Sequence, residues 1–147
     1  MNIVICAGVV FSDKIIEVEK RLVKKGHKVD IPFVTKEIKS GKISLKNYKK
    51  DKAKEGDIKY RQAYEDNVDM IKRYYQLIKD SDAILVLNYD KKGIKNYIGG
   101  SVLMEMGFAY VLDKKIFMYN PIPEMNYSDE LIAMKPIILK GDLEKIK

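Results

Sequence analysis

The chain has no tryptophan, one cysteine, one histidine and four prolines in its 147 residues. A single thiol, Cys6, forms no internal disulfide, and this fits a reducing compartment. A single imidazole, His27, removes most metal sites and most histidine-based triads at once. No metal and no cofactor is therefore expected. No apolar run approaches the roughly 18 residues that a membrane span needs, so no membrane partner is expected either. The opening residues Met1 to Cys6 show no basic leader and no small-residue cleavage site, and a cytoplasmic location is the expectation. The G-x-G-x-x-G fingerprint is missing, since Gly8 stands alone after the first apolar run, and no P-loop pattern occurs. Dinucleotide redox chemistry and nucleoside triphosphate hydrolysis lose their usual signatures. Carboxylates, hydroxyls, lysines, tyrosines and the backbone remain as chemical resources.

What the chain does have is the composition of one globular domain, 46% hydrophobic and 33% charged. At this length folding buries roughly two-thirds of the extended surface, enough for a core without staples. Twenty-eight basic residues against 21 acidic ones give a net charge of +7. That charge is concentrated. Thr35 to Tyr60 carries nine lysines and four acids, so most of the excess sits in one lysine-rich insertion, read here as a solvated loop. The rest is close to neutral, unlike a nucleic-acid binder with a basic face across its fold.

The order of apolar segments predicts an alternating α/β chain. Ile3 to Cys6 is a short β-branched strand closed by Ala7-Gly8. Ser12-Asp13 is placed to cap a helix in which Ile15, Val18 and Leu22 recur at helical spacing, and Gly26 is placed to end it. Val29 to Phe33 reads as a second strand. From about Ile58 the helical period returns through Tyr64, Val68, Ile71, Tyr75 and Ile78. Ala83 to Leu87 is continuously apolar, as a central parallel strand covered on both faces should be. Val102 to Leu112 reads as a helix, Ile116 to Tyr119 as a strand, Ser128 to Met134 as a short helix and Ile137 to Leu139 as a last strand. The expected fold is a five-stranded parallel sheet with helices on both faces. Ligands of such sheets lie beyond the carboxyl ends of the strands, which points to Gly8 and Val9, Asn88 and Asp90, Gly99, Gly100 and Ser101, and the turn Asn120-Pro121.

Glu105 is the most informative single residue. Its neighbours one turn away are Ser101, Val102, Phe108 and Ala109, none of them basic. No capping box explains it, because the position three after Ser101 is Met104. A glutamate on an apolar helix needs a partner or a use. Gly99-Gly100-Ser101 adds backbone N–H groups suited to phosphate or sugar hydroxyls. Asp90 follows the central strand at the productive edge. Asp82 precedes it, and on the edge rule alone is a turn acid. Cys6 reads as a core thiol.

Ser81 to Leu87, a glycine-bearing loop, then Met104-Glu105-Met106-Gly107-Phe108-Ala109 and Lys115-Ile116-Phe117 together resemble the nucleoside 2-deoxyribosyltransferase family, whose superfamily includes the 2′-deoxynucleoside 5′-phosphate N-hydrolases. The resemblance spans the chain from its first strand to Met134. It implies a flavodoxin-like (Rossmannoid) sheet, cleavage or transfer at an N-glycosidic bond of a (deoxy)nucleoside or nucleotide, Glu105 as nucleophile and Asp82 as the acid assisting the leaving base. It also implies a homodimer or higher homo-oligomer, with Met134 matching a residue contributed by the partner chain. The chain departs from the family where 5′ ends are held. Gly8 and Val10 stand at the serine and arginine positions of the hydrolases, Gly99 replaces a polar residue six before the glutamate, and Ile132 takes the place of a partner-chain asparagine or serine. Ser101 and the lysines from Lys42 to Lys59 are the substitutes at hand. Two other readings stand beside the enzyme: a nucleotide-binding or sensor module without turnover, and, ranked last, a nucleic-acid binder working through the lysines.

Overall fold

The computed structural model describes residues 1–55 and 69–147. In chain order these form β1 (Asn2–Cys6), a 3₁₀ turn (Val9–Phe11), α1 (Ser12–Lys24), β2 (Lys28–Asp30), α2 (Phe33–Lys39), α3 (Leu45–Glu55), α4 (Met70–Lys79), β3 (Ala83–Val86), α5 (Gly100–Val111), β4 (Lys115–Met118), α6 (Ser128–Ala133), β5 (Ile137–Ile138) and a closing 3₁₀ turn (Leu143–Lys145). All five strands run parallel, in the order β2-β1-β3-β4-β5. This is the flavodoxin-like arrangement.

The period of two along the strands divides the core. Ile3, Ile5, Ala83, Leu85 and Phe117 point to one face and meet Ile15, Val18 and Leu22 of α1 and the C-terminal Leu139, Leu143 and Ile146. Val4, Cys6, Ile84, Val86, Ile116 and Met118 point to the other and meet α4, α5 and α6 through Tyr74, Ile78, Val102, Met106, Ala109 and Leu131. Each fully buried Ile or Leu contributes about 1.5–3 kcal/mol. The continuous apolarity of β3 follows from its central place, with all four residues buried.

Several local predictions change. Ser12 does not cap α1; its hydroxyl donates to the Val9 carbonyl at 2.6 Å and pairs with the buried Thr35 hydroxyl at 2.9 Å. The end of α1 is as expected. Gly26 takes φ +90°, and the N–H groups of Gly26 and His27 return to the carbonyls of Val23 and Leu22, a Schellman closure. β2 stops at Asp30 and Phe33 opens a helix, because Pro32 has no N–H for a ladder and its φ of −52° suits a helix start. The lysine-rich stretch is not a plain loop: it holds α2 and α3. Lysine is a good helix former, and buried Val34, Thr35 and Tyr48 tie the two helices down. Of the helix expected from Ile58, Tyr64 and Val68 lie outside the described residues. Its described part is α4, capped by Asp69, whose carboxylate accepts from the Lys72 N–H at 3.0 Å. There Tyr74 and Ile78 face the core, while Ile71 is 53% exposed. No helix among the described residues is long and apolar enough to cross a membrane.

Candidate active site

The chain leaves β1 toward β2 on one side and returns to β3 on the other. The crevice between the carboxyl ends of β1 and β3 is therefore the switch point, where such sheets bind ligands. Cys6 is the last residue of β1 and is paired in register with Val86, the last of β3. Its side chain points to the face that α5 covers. α5 buries Val102, Met106 and Ala109 against that face. Glu105 lies next to this stripe, partly buried, and near enough to the Cys6 thiol for each to shift the other's ionisation. Among the described residues no lysine or arginine forms an ion pair with Glu105.

Although Glu105 keeps some accessible surface, protein atoms crowd it enough for desolvation to dominate its ionisation. Burial raises its pKa from 4.5 to about 8, against a smaller lowering by the nearby Cys6 thiol. Burial pushes the Cys6 thiol up as well, and the nearby Glu105 carboxylate adds to that. Tyr74 is raised by burial first and then by Glu105 and Cys6; its hydroxyl donates to the Ile5 carbonyl at 2.8 Å. Of this trio only Glu105 changes charge near neutrality. At pH 7 roughly a tenth of it is ionised.

Asp82 is not brought to Glu105. It precedes β3 at the amino edge, where its carboxylate accepts from the Asn2 N–H at 2.7 Å and its own N–H donates to the Asn2 carbonyl at 2.9 Å. Cys6 pairs three residues further up the same ladder than Ile3, so Asp82 lies on the order of 13 Å below the Cys6 level. Asp82 thus lies where the edge rule puts a turn acid.

Asn88 is at the carboxyl edge as expected, but its side chain works within the fold. The buried amide donates to the carbonyls of Pro121 at 3.0 Å and Asn120 at 3.2 Å, with Asn96 more distant at 3.5 Å, and its oxygen accepts from the Asn120 N–H at 2.9 Å. Asp90 accepts from the Asn96 N–H at 2.9 Å and holds the same loop. Gly8 precedes the 3₁₀ turn and Val9 opens it. Gly99 is the N-cap of α5 and makes no side-chain cap; Gly100 and Ser101 form its exposed first turn. A Cβ on Gly8 or Gly99 would meet only ordinary contacts, and on Gly100 none, so no crowding within the described fold requires glycine there. Met134 ends α6 and packs, partly buried, on the α5 face of the core.

An open groove of about 790 Å³ runs along the same rim between the loops after β3 and β4, lined by Ile94, Lys95, Asn96, Asn120, Ile122 and Lys140 among others. Glu105 is not part of its lining. In the lysine-rich stretch, Lys36 pairs with Asp30 at 3.4 Å, Lys39 with Glu19 at 2.7 Å and Lys42 with Glu37 at 3.7 Å. Among the described residues no cluster of three or more His, Cys, Asp or Glu forms a metal site.

Sequence reasoning missed Cys6 and Tyr74 as neighbours of Glu105. Cys6 is 99 positions away in the chain, and the only available signal was that both belong to the carboxyl rim of a β1–β3 pair. Compared with protein-family models, curated proteins and solved structures, the chain matches none.

Proposed function

We propose that the chain cleaves or transfers at the N-glycosidic bond of a (deoxy)nucleoside or nucleotide, with Glu105 as nucleophile. One observation carries the reading: a partly buried carboxylate without a described cationic partner stands at the switch point of a flavodoxin-like sheet. The Glu105 carboxylate attacks the anomeric carbon as the C–N bond breaks, and the bond's electron pair leaves with the base. The sugar is then held as an ester on Glu105. Water, or a second base, attacks the same carbon and frees the carboxylate. The departing base takes its proton from solvent or from a group other than Asp82, which lies at the far edge of the sheet. Attack requires ionised Glu105, so the rate rises with pH to a plateau above about 8. A homodimer completing the site around Met134 belongs to the same proposal.

The test is intact-protein mass spectrometry after mixing with a panel of nucleosides and their monophosphates, together with an assay for free base. A sugar adduct mapped to Glu105, and loss of base release in Glu105→Gln, support the proposal. A panel that yields no base, or a variant that keeps full activity, ends it.

The mostly protonated state of Glu105 at neutral pH favours one second reading. A neutral carboxyl donates a hydrogen bond to a ligand without attacking it, as a nucleotide-binding or sensor module would use it. A nucleotide that raises the melting temperature and is recovered unchanged distinguishes this case.

A further inference from the structure

We propose that the groove between the loops after β3 and β4 binds a small hydroxylated phosphate monoester, with Lys95 and Lys140 on the phosphate and the Asn96 side-chain amide on the organic part. Glu105 is not in its lining, so this is a second site, and the inference does not rest on the reading of Glu105 as nucleophile.

Asn96 carries the argument. It is 8% exposed and lines the groove. Its main chain is occupied: the N–H donates to the Asp90 carboxylate at 2.9 Å, and the carbonyl lies 3.5 Å from the Asn88 amide that donates to it. Its side-chain amide, with two N–H donors and an acceptor oxygen, makes no hydrogen bond to any described residue. No side-chain nitrogen or oxygen among the described residues is both sealed off and unpartnered, so the Asn96 amide keeps its access through the groove it lines. A side chain buried this far normally finds its partner within the fold, and this one is left for a ligand. Asn96 and Lys140 also hold φ of 56° and 54°, a conformation glycine adopts more easily. What glycine would not supply at either position is the side chain facing the groove.

The walls are set without a ligand. Asn88 ties the loop after β3 to the loop after β4, and Asn120 returns a hydrogen bond to the Asn88 carbonyl at 3.0 Å. Lys92-Gly93, both with positive φ, closes a hairpin between Lys91 and Ile94 and so fixes the wall that carries Lys95. The Gly141 N–H donates to the Tyr119 carbonyl at 2.8 Å and holds the turn of Lys140 against the end of β4. Neither Lys95 nor Lys140 forms an ion pair among the described residues, nor does Glu124, the one acid of the lining. Two ammonium groups on separate loops match a dianion, and a phosphate monoester carries a charge of roughly −1.5 to −2 at pH 7. Ile94 and Ile122 cover carbon atoms, while Asn96 and Glu124 offer acceptors to hydroxyl groups.

The experiment titrates the full chain with glycerol phosphate at low ionic strength and follows the amide NMR signals, with inorganic phosphate and glycerol as references. Glycerol phosphate should move the signals of Lys95, Asn96 and Lys140 together and bind more tightly than inorganic phosphate, and glycerol should move none of them. Lys95→Gln and Lys140→Gln should each weaken binding about tenfold, the loss of one charge-assisted contact. Asn96→Gly separates a ligand role from a structural one. It removes the amide and relieves the backbone, so its melting temperature should equal or exceed that of wild type while its affinity for glycerol phosphate falls to that for inorganic phosphate. A lower melting temperature with unchanged affinity assigns the amide to the fold and overturns the proposal. So do shifts scattered over the surface lysines, equal affinity of the wild type for the ester and for inorganic phosphate, or binding that none of the three substitutions changes.

Discussion

The two rims of the sheet hold two carboxylates in opposite circumstances. At the amino rim Asp82 is exposed and accepts a backbone N–H from Asn2. At the carboxyl rim Glu105 is crowded and has no ion pair to a cation among the described residues. Asp82 does a stitching job that needs a charge or a good acceptor and little else. Glu105 is costly to ionise where it is, and its environment does little to relieve that cost. Position along the strands, more than residue type, separates a structural acid from a candidate chemical one.

The sharpest way to break this comparison is to remove each carboxylate in turn. On the proposed reading of Glu105 as nucleophile, Glu105→Gln should reduce base release by about a thousandfold or more. Asp82→Asn should leave the rate within about threefold. A folded Asp82→Asn protein that loses activity would reverse the assignment of the two rims.

Stability against pH sharpens it next. Glu105 binds its proton more tightly folded than unfolded, so between pH 4.5 and about 8 the native state holds a proton that the unfolded chain has released. Stability from this group is therefore full below about 4.5, falls as pH rises through the window and is level above 8, a loss on the order of a few kcal/mol. Denaturant titrations at pH 5, 7 and 9 should show that decline in wild type and its absence in Glu105→Gln, which becomes the more stable protein at pH 9. Equal slopes in the two would mean that Glu105 is better solvated than its setting indicates.

Between the rims in expected size comes Asn88. Asn88→Ala leaves the Asn120 N–H without its acceptor and unties two loops at the carboxyl edge. A loss of about 2–3 kcal/mol is expected, with faster proteolysis in those loops. An unfolding midpoint within error of wild type would show that the loops are held by something else.

Much of this architecture was legible in the residues. The apolar runs located β1, β3 and β4, because strands buried on both faces leave little room for polar interruption, while the expected second strand overlapped β2 only at Val29 and Asp30, since that edge strand is Lys-Val-Asp. Glu105 stood out for the same reason, an acid in the all-apolar helix α5. The α2 and α3 helices were hidden because lysines look alike on a solvated loop and on a solvated helix. Their few anchors, Val34, Thr35 and Tyr48, are too sparse to show a period. Asn88 was placed at the right edge, but its tie between two loops was not legible, since its partners Asn120 and Pro121 are more than thirty positions away. The nearness of Cys6 to Glu105 is a product of strand order, which composition and spacing do not carry.

The smallest predicted effect tests the amino rim on its own terms. Asp82 sits at 2.7 Å from the Asn2 N–H in an exposed position, where charge-assisted bonds are weakened by solvent. Asp82→Asn keeps an acceptor oxygen and should cost at most about 0.5 kcal/mol; Asp82→Ala removes it and should cost about 1 kcal/mol. Hydrogen exchange at the Asn2 amide should quicken in the alanine variant and change little in the asparagine one, while exchange at Cys6 and Val86, at the other end of the same ladder, stays as it was. A response at Cys6 would couple the two rims, and the separation of a stitching acid from a chemical one would have to be abandoned.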